Sequence, residues 1–181
     1  RNALTRRLAA VESLGSVDTI CTDKTGTLTE NEMTVQKIYT EEGESDISDI
    51  DLSNIEGGNG SSSQAELLLR TGVLCNDAEL QSEDQVLGDP TEAALLKSAR
   101  GAGLDLSSLT EKYNRLREVP FSSDRKMMTT VNESTDGPVA FVKGAPEVIL
   151  EKCTSYMEDG DVRDLTPDKR EEFRKEVEKL A

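Results

Sequence analysis

Asp23-Lys24-Thr25-Gly26-Thr27 places a carboxylate, an ammonium, two hydroxyls and a glycine within five residues. An aspartate in that company can attack phosphorus and hold the product as an acyl phosphate. The incoming phosphate is itself anionic, so positive charge must offset the repulsion. Lys24 and a divalent cation are the evident sources. Gly26 permits a tight turn with close backbone approach, while the hydroxyls of Thr25 and Thr27 and nearby N–H groups can grip phosphate oxygens. Ahead of the aspartate, the apolar β-branched run Val17-Asp18-Thr19-Ile20-Cys21-Thr22 predicts a buried strand. Asp23 would lie at its carboxyl end, where parallel α/β sheets bind their ligands. Ordinary strand-to-turn transitions use the same residue types, so a lone Asp-x-x-Gly decides nothing.

The longer string Ile20-Cys-Thr-Asp-Lys-Thr-Gly-Thr-Leu-Thr-Glu-Asn31 is more specific. It resembles the phosphorylation signature of the P-type ion-pumping ATPases, members of the haloacid-dehalogenase-like superfamily. Phosphatases of that superfamily carry a second Asp two residues after the nucleophile as general acid and base. Here that position is Thr25, which cannot do that work near neutral pH. An aspartyl phosphate at Asp23 is therefore expected to persist, as a cycle coupling phosphorylation to conformational change requires. The resemblance implies catalytic roles for Asp23, Lys24, Thr25 and Thr27. It also implies Mg²⁺ held by the Asp23 carboxylate and the Thr25 carbonyl.

A second group of strings follows in the order found in the nucleotide-binding domain of the same family: Gly88-Asp-Pro-Thr-Glu92-Ala-Ala-Leu, Phe121-Ser-Ser-Asp-Arg125-Lys126-Met-Met128 and Lys143-Gly144-Ala-Pro146. The resemblance spans nearly the whole chain and is closest to the calcium- and sodium-pump branches. It implies ATP as ligand, contacted by Glu92, Phe121, Arg125, Lys126, Met128, Lys143 and Gly144. Phe121 offers a stacking face for adenine, worth ~1–3 kcal/mol by analogy with other base–aromatic stacking. Lys143, beside the small Gly144, brings its amine near base and phosphates; Lys126 meets a phosphate as a point charge. By the same resemblance, Glu92 would accept from the adenine amino group. Singly, these residues read as a core aromatic, a first-turn helix carboxylate and solvated lysines. One departure stands out: the family's calcium pumps often carry arginine two residues after the stacking Phe, where this chain has Ser123. Arg125 is the available substitute. A further family arginine lies downstream of the Lys143 segment, past Ala181, so modest ATP affinity is expected.

Composition narrows the alternatives. The chain has 181 residues and a net charge of −15, which leaves no basic stripe for nucleic acid. Glu41 through Glu56 holds seven carboxylates and neither Lys nor Arg. Cys21, Cys75 and Cys153 are scattered and histidine is absent, which argues against a zinc site. No run approaches the ~20 apolar residues of a membrane span.

These side chains need elements to position them. Met33–Thr40 alternates as a half-buried strand. Residues 41–63 are acidic and then Gly/Ser-rich, and read as a mobile excursion. Gln64–Cys75 reads as a helix. Asp89-Pro90 opens another, running to about Arg100, and Ser108-Leu-Thr-Glu111 suggests a capping box for a helix toward Arg117. Strands are expected at Arg117–Phe121, Met127–Asn132 and Val139–Lys143. A short helix at Pro146–Cys153, a hairpin around Glu158-Asp-Gly-Asp161 and a helix from Thr166-Pro167 to Leu180 complete the reading.

The sequence thus points to an α+β fold, an antiparallel sheet flanked by helices (the family's nucleotide-binding domain). A short α/β haloacid-dehalogenase-like segment of the phosphorylation domain precedes it. The division is 1–31 and 32–181, with a hinge near Glu30-Asn31 and the final part of the second domain truncated. The resemblance implies a cytoplasmic portion of an integral membrane pump. Its partners would be nucleotide and the rest of the pump: membrane helices, actuator domain and the remaining phosphorylation domain, including a Gly-Asp-Gly-x-x-Asn-Asp segment beyond Ala181. Calcium is the first expectation for the ion. A soluble haloacid-dehalogenase-like phosphotransferase and a non-catalytic module docking a basic partner are the competing readings.

Overall fold

The computed structural model describes residues 8–53, 63–81 and 85–180. The basic arm before Leu8 and most of the Gly/Ser-rich run lie outside them. The chain divides into two compact units, Arg1–Glu32 and Met33–Ala181.

In the first unit, helix α1 (Leu8–Gly15) leads into irregular backbone. The run 17–22 forms no strand and is exposed, with Ile20 at 79%. This corrects the expected buried strand, and with it the α/β character of the segment. A parallel strand takes its hydrogen bonds from neighbouring strands and its burial from helices on both faces. Among the described residues, nothing pairs with 17–22.

The second unit is mixed α+β. Its elements are β1 (Lys37–Thr40), β2 (Gly43–Asp46), a 3₁₀ turn (Ile47–Asp49), α2 (Gln64–Leu74), β3 (Glu79–Leu80), β4 (Val86–Leu87), α3 (Pro90–Gly101) and α4 (Leu106–Lys112). They continue as β5 (Arg115–Ser122), β6 (Met127–Asn132), β7 (Val139–Gly144), α5 (Pro146–Lys152), β8 (Ser155–Glu158), β9 (Asp161–Asp164) and α6 (Pro167–Leu180). Among the described residues the strands make one three-stranded antiparallel sheet, β5-β6-β7, and three two-stranded antiparallel pairs rather than a single sheet. The capping box expected at Ser108 is corrected. Asp105 caps α4 instead, accepting from the N–H groups of Ser107 and Ser108 at 3.0 and 3.1 Å, and the backbone turns extended by Arg115.

Two apolar clusters hold this unit. Leu69 and Val73, four residues apart on one face of α2, pack with Leu96, Ala99, Ala102 and Leu52. Leu74, Cys75, Met128 and Phe141 join the end of α2 to the inner face of the sheet. A fully buried Leu or Phe contributes about 1.5–3 kcal/mol, so these few residues carry much of the fold's stability.

The acidic segment also differs from its expectation. Gly43–Asp46 pairs with β1, and Leu52 is buried, its N–H 2.6 Å from the Ala102 carbonyl. Glu41 is tied in as well. Its Oε2 accepts from Gln64 Nε2 at 2.8 Å and from the Asp159 N–H at 3.1 Å, and its own N–H donates to Gln64 Oε1 at 2.9 Å. Glu44 pairs with Lys37 and, at 3.2 Å, with Lys179 of α6. Carboxylates that sequence alone presents as repelling one another are matched by donors distant in the chain.

Candidate functional site

Asp23 to Thr29 form an exposed turn. The Lys24 carbonyl accepts from the N–H groups of Leu28 and Thr29 at 3.0 and 3.2 Å, with Gly26 at φ 73°, a conformation glycine adopts without a Cβ clash. Asp23 Oδ1 accepts from the Thr25 N–H at 3.4 Å, an Asx-type contact that orients the carboxylate over its own turn. Asp23, Lys24, Thr25 and Thr27 are therefore brought together and all face solvent. The carboxylate of Asp23 and the carbonyl of Thr25 are hard oxygen donors. That is the class Mg²⁺ prefers, and the ion commonly takes one or two protein ligands and completes its shell with water and phosphate oxygens. Among the described residues no group of three or more His, Cys, Asp or Glu could hold a metal. A two-donor arrangement of this kind is what the motif offers.

The second constellation collects at one end of the β5-β6-β7 sheet. Ser122 pairs with Met127, and Met127 with Gly144, so the Phe121, Lys126 and Lys143 segments lie on adjacent strands. Pro120 cannot donate to the ladder, and the register of edge strand β5 shifts between Val119 and Ser122. Phe121 sits on that irregularity with 58% of its surface exposed, which opposes the reading of it as a core aromatic. The chain then turns tightly. The Lys126 N–H donates to the Ser122 carbonyl at 2.7 Å, and Lys126 itself takes φ 51°. Arg125 donates through Nη1 to the Pro120 carbonyl at 3.4 Å. Lys126 Nζ lies 3.7 Å from Glu147 Oε1, an exposed pair worth little to stability.

Gly144 is fixed by sterics. A Cβ there would come within 2.4 Å of the Lys126 carbonyl oxygen and 2.7 Å of Met127 Cα. That carbonyl already accepts from the Ala145 N–H at 2.9 Å, so the turn and the end of β7 interlock through backbone.

Glu92 and Lys143 are brought into direct contact, Nζ to Oε1 at 2.5 Å, with side chains 15% and 21% exposed respectively. Local sequence positions Glu92. Asp89 caps α3, accepting from the N–H groups of Thr91 and Glu92 at 2.8 and 3.4 Å, and Pro90 supplies the fixed first turn. The Thr91 N–H holds the Asp89 carboxyl below the usual aspartate range, against a smaller effect of burial. Sequence reading passed over three further residues. Asn76, 5% exposed, donates to the carbonyls of Gly72 and Glu92, both at 3.0 Å. The Asp77 N–H donates to Glu92 Oε2 at 3.2 Å. Arg115 donates to Asp77 Oδ1 at 2.7 Å, to Glu118 Oε2 at 3.0 Å and to the Asn76 carbonyl. The available signal was a polar Asn-Asp pair directly after an apolar helix end.

One expected ligand contact is corrected. Met128 is 1% exposed, packed with Leu74, Cys75 and Phe141, and presents no surface to a ligand. The alternation of β6 turns it inward, as its burial pattern requires. Lys143 and Gly144 also border a cleft of about 530 Å³ walled mainly by apolar residues such as Leu95, Ile149 and Phe173, with Lys37, Thr71 and Ser98 among them. Phe121, Arg125 and Lys126 are not part of it.

Residues 64–181 match the family described as P-type ATPase, cytoplasmic domain N. The chain belongs to the P-type cation-transporting ATPases. It is 41% identical over its full length to calcium-transporting ATPase 1 of Lactococcus lactis and covers 20% of that protein. Cation-transporting ATPase pma1 of Synechocystis is 39% identical, with 100% of this chain and 21% of the relative aligned. The sodium/potassium-transporting ATPase subunit alpha-A of Artemia franciscana is 39% identical over 88% of the chain and 17% of its own length. The chain thus spans about a fifth of the curated relatives it matches. Two of these relatives, a calcium-transporting and a sodium/potassium-transporting ATPase by name, fall in the branches that the motif resemblance pointed to. In this P-type ATPase sequence, the described residues include no helix long and apolar enough to cross a membrane.

Proposed function

We propose that this chain binds ATP at the open end of its β5-β6-β7 sheet and supplies Asp23 as the phosphoryl acceptor of a cation pump on the cytoplasmic face of a membrane. What supports the reading most is the Glu92–Lys143 contact at the sheet end that also carries exposed Phe121 and Lys126 and half-buried Arg125. A carboxylate to accept from an exocyclic amine, an aromatic face and two or three cations make a set matched to adenine plus a phosphate chain.

In this reading Phe121 stacks on the base, Glu92 accepts from the adenine amino group, and Lys143 and Lys126 contact ligand oxygens, with Arg125 standing in for the absent arginine at Ser123. Gly144 keeps the backbone low beside the base. Met128 serves only to hold the strand beneath. The domain carries ATP to Asp23 by movement about Glu30-Asn31. An Asp23 carboxylate oxygen forms the bond to the γ-phosphorus as the bond to the ADP oxygen breaks, leaving an aspartyl phosphate. Lys24 and the hydroxyls of Thr25 and Thr27 hold the transferred oxygens. The Asp23 carboxylate and the Thr25 carbonyl would hold Mg²⁺, which when bound would neutralise charge on the phosphates. Thr25 offers no acid or base to hydrolyse the product, so the phosphoryl group stays long enough to drive cation movement, calcium being the first expectation.

Calorimetric titration of the chain tests the nucleotide half: ATP binds, and Lys143→Ala removes most of the heat. Binding indifferent to that change sinks it. For the pump half, Asp23→Asn in the intact protein abolishes label incorporation from radioactive ATP; retained labelling overturns it. The chain alone binds ATP with negligible turnover, and vanadate-sensitive hydrolysis by it would contradict the account.

A further inference from the structure

We infer that Asn76 is a positioning residue for adenine recognition, acting through Glu92. The inference rests on the nucleotide reading above and assigns a role to a residue that reading does not use. Asn76 occupies the loop after α2, and its side chain is fully committed. Nδ2 donates to the Gly72 carbonyl and to the Glu92 carbonyl, both at 3.0 Å, and Oδ1 accepts from the Ala78 N–H at 2.8 Å. The first two contacts fasten the last turn of α2 to the first turn of α3. The third shapes the loop so that the intervening Asp77 N–H meets Glu92 Oε2 at 3.2 Å. One 5%-exposed amide thereby fixes the main chain of Glu92 directly and one carboxylate oxygen indirectly.

Arg115 braces the same loop from strand β5. It donates to the carbonyls of Asn76 and Leu74 and pairs with Asp77 and Glu118. The carboxylate of Glu92 is left with one oxygen on Asp77 and the other on Lys143. Only an acceptor held in place discriminates a 6-amino from a 6-oxo purine. A carboxylate rewards the donor and repels the carbonyl oxygen, and that contrast fades as it becomes free to rotate away.

Titration of the 181-residue chain with ATP, GTP and inorganic tripolyphosphate, in wild type and variants, tests this. Asn76→Ala should weaken ATP about fivefold, the size of one lost hydrogen bond, and leave GTP and tripolyphosphate unchanged. Asn76→Asp, which keeps the acceptor for Ala78 but loses the donor to Glu92, should do the same. In a Glu92→Ala background neither change should cost anything further, because the two residues act as one unit. Equal losses for ATP and tripolyphosphate, or unchanged ATP affinity in a folded variant, overturn the inference. Should both variants fail to fold, the wild type still decides. The Asn76 side-chain amide resonances should shift on adding adenosine and not on adding tripolyphosphate, and no shift overturns the role. A wild-type chain that binds no ATP defeats the nucleotide reading and this inference together. ATP binding that ignores Asn76 defeats this inference alone.

Discussion

Lys143 Nζ and Glu92 Oε1 meet at 2.5 Å across 51 residues of chain, joining the end of β7 to the first turn of α3. Each side chain retains only about a fifth of its exposure, so neither charge has water enough to stand alone. Lys143→Ala should therefore cost stability as well as nucleotide affinity. Leaving the Glu92 carboxylate unpaired should lower the free energy of unfolding by about 1–3 kcal/mol, measured by urea titration. The double change Lys143→Met with Glu92→Gln should recover part of that, since no charge is then left buried.

Gly144→Ala should be more damaging than its size suggests. The added methyl meets the Lys126 carbonyl and the Met127 main chain, which belong to a hydrogen-bonded ladder and cannot swing aside as a side-chain tip would. An overpacking cost of about 1–3 kcal/mol is expected, read as a lowered urea midpoint with an unchanged slope.

Asp89 links helix capping to pH. Its folded pKa lies below the unfolded value because the Thr91 N–H favours the charged form. The capping stabilisation is thus complete above the unfolded aspartate value of about 3.9 and disappears as pH falls through the lower folded value. Asp89→Ala should cost about 0.5–2 kcal/mol at neutral pH and flatten the acid limb of stability against pH. A variant with an acid limb identical to wild type would exclude this assignment.

Ser123→Arg offers a gain rather than a loss. Position 123 is exposed in the turn that follows Phe121, so an arginine can be accommodated there without disturbing the core. ATP should bind a few-fold tighter, roughly the 1–2 kcal/mol or less of a charge-assisted phosphate contact, with the gain eroded by salt and absent for adenosine.

The elements nearest the proposed nucleotide site were the most legible in sequence. Asp89-Pro90 announces the start of α3 by cap and fixed φ, and the strands expected at Met127–Asn132 and Val139–Lys143, parted by the turn residues Asp136-Gly137-Pro138, match β6 and β7 to within a residue. Legibility failed where partners are remote. Nothing local to Glu41 reveals that Gln64 and the Asp159 N–H will satisfy it, so a segment dense in carboxylates read as unable to settle. The opposite error befell Val17 to Thr22, whose apolar β-branched character asks for a strand that no strand among the described residues completes. Met128 shows a third kind of miss: a motif position is not a surface position, and the strand's alternation already turned it inward.

The clasp on Glu41 also sets an order of events. Its most distant hydrogen-bond donor, Asp159, is 118 residues away, and Glu44 waits for Lys179 still later. On the ribosome, the β1–β2 hairpin emerges with Lys37 alone to answer Glu44, and Gln64, the Asp159 N–H and Lys179 complete the clasp only later. Its lasting attachment is thus a late step of synthesis, and a chain stalled before α6 would expose that hairpin to proteases that the finished domain resists.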